Sequence, residues 1–286
     1  VRVSDDLKVL VIGATGRVGR MLRRQWNAAP PRGIALTYQA RHGDDLTWDA
    51  ADGPAALAAH GPFDRLLVLA GVTPTQGTNS GADVAQNAVI AGACHAAAVQ
   101  MGAAHMLLAS SSAVYGTAQN HPYSEADTPA PTSDYGKAKL QAERILAGGT
   151  PVCALRIGNV LGADALMLNA AKATAGAPLQ LDRFADGHGP LRSYIGPATL
   201  AKVLETLLHA GEILPNVLNI GAPAPVGMQT LLETDDIPYA MRPPPPSAVQ
   251  SITLDCGALA ALHPFDPDAS AARHMLQQWH ELRDAP

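Results

Sequence analysis

Short runs that are apolar throughout, separated by longer stretches of helical character, constrain this chain more than any single residue does. "KVLVIG" (Lys8–Gly13), "GIALTY" (Gly33–Tyr38), "RLLVLAG" (Arg65–Gly71), "AHMLLASS" (Ala104–Ser111) and "PVCALRIG" (Pro151–Gly158) all have the length of a strand. A strand with one wet face alternates apolar and polar residues, whereas one that is apolar at every position is buried on both faces. Strands of that kind belong to parallel sheets, whose connections are helical crossovers, and stretches such as Ala82–Met101 supply them. The pattern predicts an α/β fold built on a doubly wound parallel sheet. In such sheets ligands bind beyond the carboxyl ends of the strands, so chemistry is expected in the residues that close each run.

After about Gly162 the alternation loosens. A helix is expected over Asp164–Ala175, then the Gly-rich loop "FADGHGPLRS", a helix over Pro197–His209, a strand in "NVLNIG" that returns to the main sheet, and a helix over Ala269–Arg283. The consecutive prolines of "RPPPPS" favour a stiff, extended connector. This reading puts residues 1–162 in a main domain to which 193–221 returns. Residues 163–192 and 222–286 form a smaller lobe.

Composition removes several classes of function. With a formal net charge of -5 and no run of Lys and Arg, the chain carries no electrostatic footprint for nucleic acid. No apolar stretch is long enough to span a bilayer, and "VRVSDDLKVL" has no signal-peptide core, so the expected location is cytoplasmic and away from membranes. Cys94, Cys153 and Cys256 are odd in number and far apart, which suits buried thiols in a reducing compartment. The ten histidines show no HExxH or close pairing, so no metal is expected.

The first run opens into "VLVIGATGRVGR", where Gly13, Gly16 and Gly19 are spaced by three between a strand and a helix. Backbone N–H groups and the positive end of a helix favour a pyrophosphate there, although a tight structural turn has the same local signature. Two further stretches favour the nucleotide. "LLASSSAVYG" leaves Ser110, Ser111 and Ser112 at the end of a buried strand, and "SDYGKAKLQAER" sets Tyr135 and Lys139 four apart on one helix face. A phenol and a hydroxyl beside an ammonium suit proton transfer at an alcohol or carbonyl, and the ammonium is expected to lower the pKa of the phenol.

"GATGRVG", "SSSAVYG" and "YGKAK" together resemble the short-chain dehydrogenase/reductase superfamily, in its extended branch of NAD(P)-dependent nucleotide-sugar epimerases and dehydratases. "WDAAD", "VLAG", "LRIGNVLG", "LRSYI" and "LNIG" resemble later landmarks of that branch, so the likeness runs through most of the chain. It implies a Rossmann fold with a small substrate lobe. It implies Tyr135 as acid/base, Lys139 as its electrostatic partner and ribose contact, and Ser111 as the catalytic hydroxyl, with Ser112 the alternative. Cofactor contacts implied in the same way are Gly13, Thr15, Gly16, Arg17, Val18, Gly19, Arg41, Asp49, Ala50, Leu69, Ala70, Gly71, Asn87, Tyr135 and Lys139. Asn159 and Arg192 would contact substrate phosphates with Arg242 as a third contact, although loop residues of these types also serve as surface hydrogen bonders. The branch also implies a homodimer packed through the Ala82–Met101 helix and the helix of Tyr135.

The chain departs from the branch in "LTYQARHG", where an acidic residue usually closes the second strand. Gln39 would not repel a 2'-phosphate and Arg41 could pair with one, which favours NADP over NAD. "GPATLA" after "RSYI", and a short second lobe, weigh against a large substrate. Three functions stay open: an oxidoreductase or epimerase moving hydride at a secondary alcohol or ketone of a nucleotide sugar, an NADPH-dependent reductase of a smaller carbonyl compound, and a non-catalytic dinucleotide sensor.

Overall fold

A computed structural model describes residues 6–73, 81–116, 121–146 and 148–284. Its strands and helices, in chain order, are β1 (Leu7–Ile12), α1 (Arg17–Ala28), β2 (Ile34–Ala40), β3 (Leu46–Thr47), α2 (Pro54–Ala58), β4 (Arg65–Val68), α3 (Gly81–Met101), β5 (His105–Ser111), α4 (Asp134–Arg144), β6 (Val152–Ile157), β7 (Asn159–Val160), α5 (Ala165–Ala170), β8 (Leu179–Asp182), β9 (Leu191–Arg192), β10 (Tyr194–Ile195), α6 (Pro197–Ala210), β11 (Val217–Ile220), β12 (Val226–Gly227), α7 (Met228–Thr234), β13 (Tyr239–Arg242), β14 (Ser251–Ile252), α8 (Gly257–Leu262) and α9 (Ala272–Asp284). The chain divides into one unit of Val1–Gly116, Thr128–Arg156 and Leu204–Leu218 and another of Thr117–Asp127, Ile157–Val203 and Asn219–Pro286.

The fold is the expected doubly wound α/β type. Seven parallel strands pair in the order β11-β6-β5-β4-β1-β2-β3, so the chain winds outward in both directions from β1. The central strands are apolar because both faces are covered: Val9, Leu10, Val11 and Ile12 of β1 and Leu66, Leu67 and Val68 of β4 have no exposed surface. On one face Leu10, Ile12, Leu66, Val68, Met106 and Leu108 pack with Ala91, Cys94, Ala97 and Ala98 of α3. Small side chains let that helix lie close to the sheet. Each buried leucine or valine contributes about 1.5–3 kcal/mol relative to exposure, which fixes the register of the strands that carry the site. The winding reverses between β1 and β4. There Leu69 and Ala70 both donate their N–H groups to the Ile12 carbonyl, at 2.8 and 3.0 Å, which brings the end of β4 against the loop after β1.

The second unit is built from short pieces: a β10–β7 pair, a three-stranded β12-β9-β14 sheet and a β13–β8 pair. Leu161, Leu181, Tyr194, Leu231, Met275 and Leu276 form its core. Residues 121–127 join this unit because Tyr123 exchanges backbone hydrogen bonds with Thr253 and Asp255, at 2.8 and 2.7 Å. The helix expected over Asp164–Ala175 ends at Ala170, since Thr174 and Ala177 close a turn by reciprocal backbone bonds just ahead of Pro178. Among the described residues no helix is long and apolar enough to cross a membrane.

Candidate active site

The loop after β1 is shaped by its glycines. Gly13 has φ +89°, and a Cβ there would stand 2.5 Å from the Ala70 nitrogen; a Cβ on Gly19 would stand 2.3 Å from the Gly13 carbonyl oxygen. Only hydrogen side chains let β4, the loop and α1 approach so closely. Gly16 precedes α1, which has no side-chain cap and no acidic residue in its first turn. The N–H groups and the positive end of the helix dipole are therefore left to a bound anion.

Gly13, Thr15, Gly16, Arg41, Asp49, Ala50, Leu69, Ala70 and Gly71 line one cleft. So do Gln39, which the sequence set beside a 2'-phosphate, and Trp48 and Val72, which sequence reasoning did not place there. Gln39 is buried, accepts the Gly13 N–H at 3.1 Å and donates to the Trp48 carbonyl, so its amide stitches the loop to the strand edge. The Asp49 carboxylate accepts the Ala51 N–H at 3.0 Å and caps the short turn that follows. Val18 and Gly19 lie in the first turn of α1, and the Arg17 guanidinium donates to the Thr73 hydroxyl at 3.0 Å. Asn87 is buried beneath the cleft, where it accepts the Val72 N–H and donates to the Val72 and Val84 carbonyls. A Cβ on Gly71 would meet Asn87 Oδ1 at 2.6 Å and Lys139 Nζ at 3.0 Å, so this glycine is the point where floor and lysine meet.

Ser111 closes β5 and Tyr135 lies in the first turn of α4, held there by the Ser133 hydroxyl, which accepts the Gly136 N–H at 3.1 Å. The Ser111 and Tyr135 hydroxyls share a hydrogen bond. Ser112 instead starts a short turn, with its carbonyl accepting the Tyr115 N–H. Lys139 is 6% exposed, donates to the Ala109 carbonyl at 2.8 Å and sits with Nζ 5.9 Å from the Tyr135 ring centre. Burial lowers the lysine from 10.5 to about 8, with Glu143 opposing the fall. The expected lowering of the phenol is not found: burial dominates and raises Tyr135, while the Ser111 hydrogen bond and the Arg17 charge pull the other way. Lys139 does not offset that burial, since its Nζ points at a carbonyl of β5 rather than at the phenol oxygen.

Asn159, Arg192 and Arg242 belong to the second unit, and each already has a protein partner. Arg192 donates to three carbonyls, of Leu191 at 2.7 Å, Gln250 at 2.6 Å and Val249 at 2.8 Å. Arg242 pairs with Asp182 at 2.7 Å. Asn159 shares a side-chain hydrogen bond with Tyr194, whose hydroxyl donates to Asp164 at 2.9 Å.

The model of the NAD dependent epimerase/dehydratase family matches residues 9–199, more than half of the chain. The chain belongs to the NAD-dependent epimerase/dehydratase family. No curated protein sequence matches it. Among solved structures, MoeE5 in complex with UDP-glucose and NAD is similar at 22% identity and TM-score 0.78, over 96% of this chain and 98% of that one. The UDP-glucose 4-epimerase of Thermus thermophilus in complex with NAD gives 19% identity and TM-score 0.75, over 98% and 100%. TunA, described as an NAD-dependent NDP-hexosamine 5,6-dehydratase of tunicamycin biosynthesis, gives 18% and 0.75, over 98% and 100%. At these identities the likeness establishes the shared fold. As an epimerase/dehydratase family member the chain must accommodate a dinucleotide, and its residues fit one: a glycine cradle with no room for a Cβ, an uncapped helix end and a continuous cleft past Arg41 and Asp49.

Proposed function

We propose that this protein is an NAD(P)-dependent oxidoreductase or epimerase acting at a secondary alcohol or ketone, with a nucleotide sugar as substrate. The observation that carries this reading is the convergence of Ser111, Tyr135 and Lys139 at the carboxyl end of β5, beside Gly71 and the glycine-loop cleft. The bound dinucleotide would supply hydride transfer. Tyr135 would take the proton of the substrate hydroxyl, or return it to a carbonyl oxygen. Ser111, hydrogen-bonded to the same phenol, would orient that oxygen, and Lys139, whose Nζ stands against Gly71 at the cleft, would hold the dinucleotide's ribose. In epimerisation the ketone turns before reduction from its other face, so no second acid or base is required.

NADP is the proposed cofactor form. Gln39 presents a neutral amide where an acid would repel a 2'-phosphate, and Arg41 lines the cleft. The two carboxylates that follow are engaged elsewhere: Asp44 with Arg23 at 2.7 Å, and Asp45 with the Tyr38 N–H at 3.1 Å. The NAD-bound neighbours speak for the opposite choice. The proposed assembly is a homodimer through α3 and α4.

A second reading, an NADPH-dependent reductase of a smaller carbonyl compound, is favoured by Arg192 and Arg242, whose guanidinium groups are occupied by carbonyls and a carboxylate. Mass spectrometry of small molecules released on denaturing freshly purified protein separates the two. Stoichiometric dinucleotide together with a nucleotide sugar supports the first; an empty protein that consumes added NADPH on a small carbonyl supports the second. Tyr135→Phe should lower turnover by about 10²–10⁴-fold. Unchanged turnover would remove Tyr135 from the mechanism and favour a non-catalytic sensor if no other residue proved essential.

A further inference from the structure

A buried charged pair that the acid–base reading does not use lies one step behind Lys139. Glu143 follows Lys139 on α4 by four residues, as Lys139 follows Tyr135, so the three side chains form one row along the helix. The Glu143 carboxylate accepts from the Ser110 hydroxyl, from Arg156 Nη2 at 2.8 Å and from Arg156 Nε at 3.2 Å. The Arg156 and Glu143 side chains are 5% and 6% exposed, and the guanidinium lies 4.7 Å from the centre of the Tyr115 ring. Burying two charges costs several kcal/mol for each, and an apolar pair of the same volume is often at least as stable. Stability alone therefore gives no reason for the pair.

Its placement does. Ser110 is the neighbour of Ser111 on β5, Arg156 lies on β6, and Glu143 ties both strands to the helix that carries Tyr135 and Lys139. Around Lys139 stand Tyr135 and Glu143 on its own helix, Ser110, Ser111 and the Ala109 carbonyl on β5, Asn87 from α3, Arg156 from β6 with Tyr115 against it, and Arg17 from α1 near the phenol. Among the described residues Glu143 is the only carboxylate in that group.

We infer that Glu143 is a positioning residue for Lys139: its carboxylate, one turn away and locked by Arg156 and Ser110, keeps the buried lysine in its ammonium form. This deepens the proposed function and rests on it for the lysine's role in turnover, but the effect on Lys139 itself needs neither cofactor nor substrate to be measured. Burial pushes Lys139 down to about 8, and Glu143 acts against that fall. Removing the carboxylate should therefore release the proton at lower pH, with the ammonium partly lost at neutral pH.

The test is a titration of the whole chain labelled with ¹³C at the lysine Cε. There are five lysines, and Lys8, Lys137, Lys172 and Lys202 are exposed and serve as references. In Glu143→Gln the Lys139 midpoint should fall by about one pH unit while the other four stay in place, and in Glu143→Gln/Arg156→Gln, which removes a cation together with the carboxylate, it should fall by less. Glu143→Asp keeps the pair but draws the carboxylate back by one methylene, and should shift the midpoint the same way by less. Ser110→Ala keeps the charge and should leave the midpoint unmoved. An unchanged Lys139 midpoint in Glu143→Gln overturns the inference, as does an unchanged one in Glu143→Asp if Glu143→Gln does not fold. Failure of the chain to bind NAD or NADP with the Lys139 shift intact would instead overturn the dinucleotide reading and leave the Glu143 assignment standing.

Discussion

Taking the Lys139 ammonium out of water lowers its pKa from 10.5 to about 8, even with the Ala109 carbonyl accepting from it. Below about pH 8 the folded and unfolded chains both hold the proton, and the fold bears the full cost of burying it. Between about 8 and 10.5 the unfolded chain holds a proton that the folded chain has released, so this group makes stability rise with pH across that window. Lys139→Met should therefore stabilise the fold at pH 7 by on the order of 2 kcal/mol after allowing for the lost hydrogen bond, raising the melting temperature while abolishing turnover. The gain should shrink as pH rises above about 8. Calorimetry from about pH 6 to 10 checks this, and a gain independent of pH would place the cost somewhere other than the buried charge. Arg41 carries the other prediction at this scale. Arg41→Ala should weaken NADP binding by about tenfold or more and leave NAD nearly unchanged. Equal losses for both cofactors in a binding titration would remove the 2'-phosphate contact. The Tyr135–Lys139 spacing was legible in the sequence because helical periodicity alone puts residues four apart on one face. The choice of Ser111 over Ser112 rested on the family resemblance and was not legible from periodicity, because two adjacent hydroxyls differ only in how β5 ends. Nor were the partners of Arg192, carbonyls 57 and 58 residues along the chain.

Among elements, the longer strands of the main sheet were legible because burial leaves a largely apolar run: the observed β1, β2, β4, β5 and β6 coincide with such runs, and β11 with the strand expected in "NVLNIG". The two-residue strands β3, β7, β9, β10, β12 and β14 were not, since two residues show no periodicity and owe their pairing to their partners. The junction between loop and α1 is where an element-level prediction is sharpest. A methyl group on Gly19 would lie 2.3 Å from the Gly13 oxygen and 2.8 Å from Ala14 carbonyl atoms, all of them backbone. Gly19→Ala must push α1 away from the cradle, at a cost of about 1–3 kcal/mol to the fold. It should also displace the helix N–H groups from an anion, so dinucleotide affinity should fall by roughly tenfold or more beyond any loss of folded protein. Gly176→Ala, at a site with open space around it, should change neither melting temperature nor affinity. Undiminished dinucleotide binding by Gly19→Ala would show that the helix end does not hold the pyrophosphate.

Across the whole molecule, the first-unit surface carries apolar residues that its own core does not use. Val89 and Val99 on α3 and Ile145 at the end of α4 are 62%, 46% and 46% exposed, three of the five large apolar side chains described as exposed. A Cβ on Gly92 would touch Ile145 Cδ1 at 3.4 Å, so the two helices are in contact at that point. Single exposed apolar residues are ordinary, but a group of them on adjoining helices suits a self-complementary surface related by a two-fold axis. Light scattering should therefore give twice the 29.6 kDa chain mass. Val89→Asp places the same charge on both copies close to the axis and should halve that mass without lowering the melting temperature of the monomer. Ile213→Asp, at a residue 73% exposed outside both helices, should leave the dimer intact. A unit mass for the unaltered chain at micromolar concentration would dispose of the dimer. A dimer indifferent to Val89→Asp but broken by Ile213→Asp would move the interface to the end of α6.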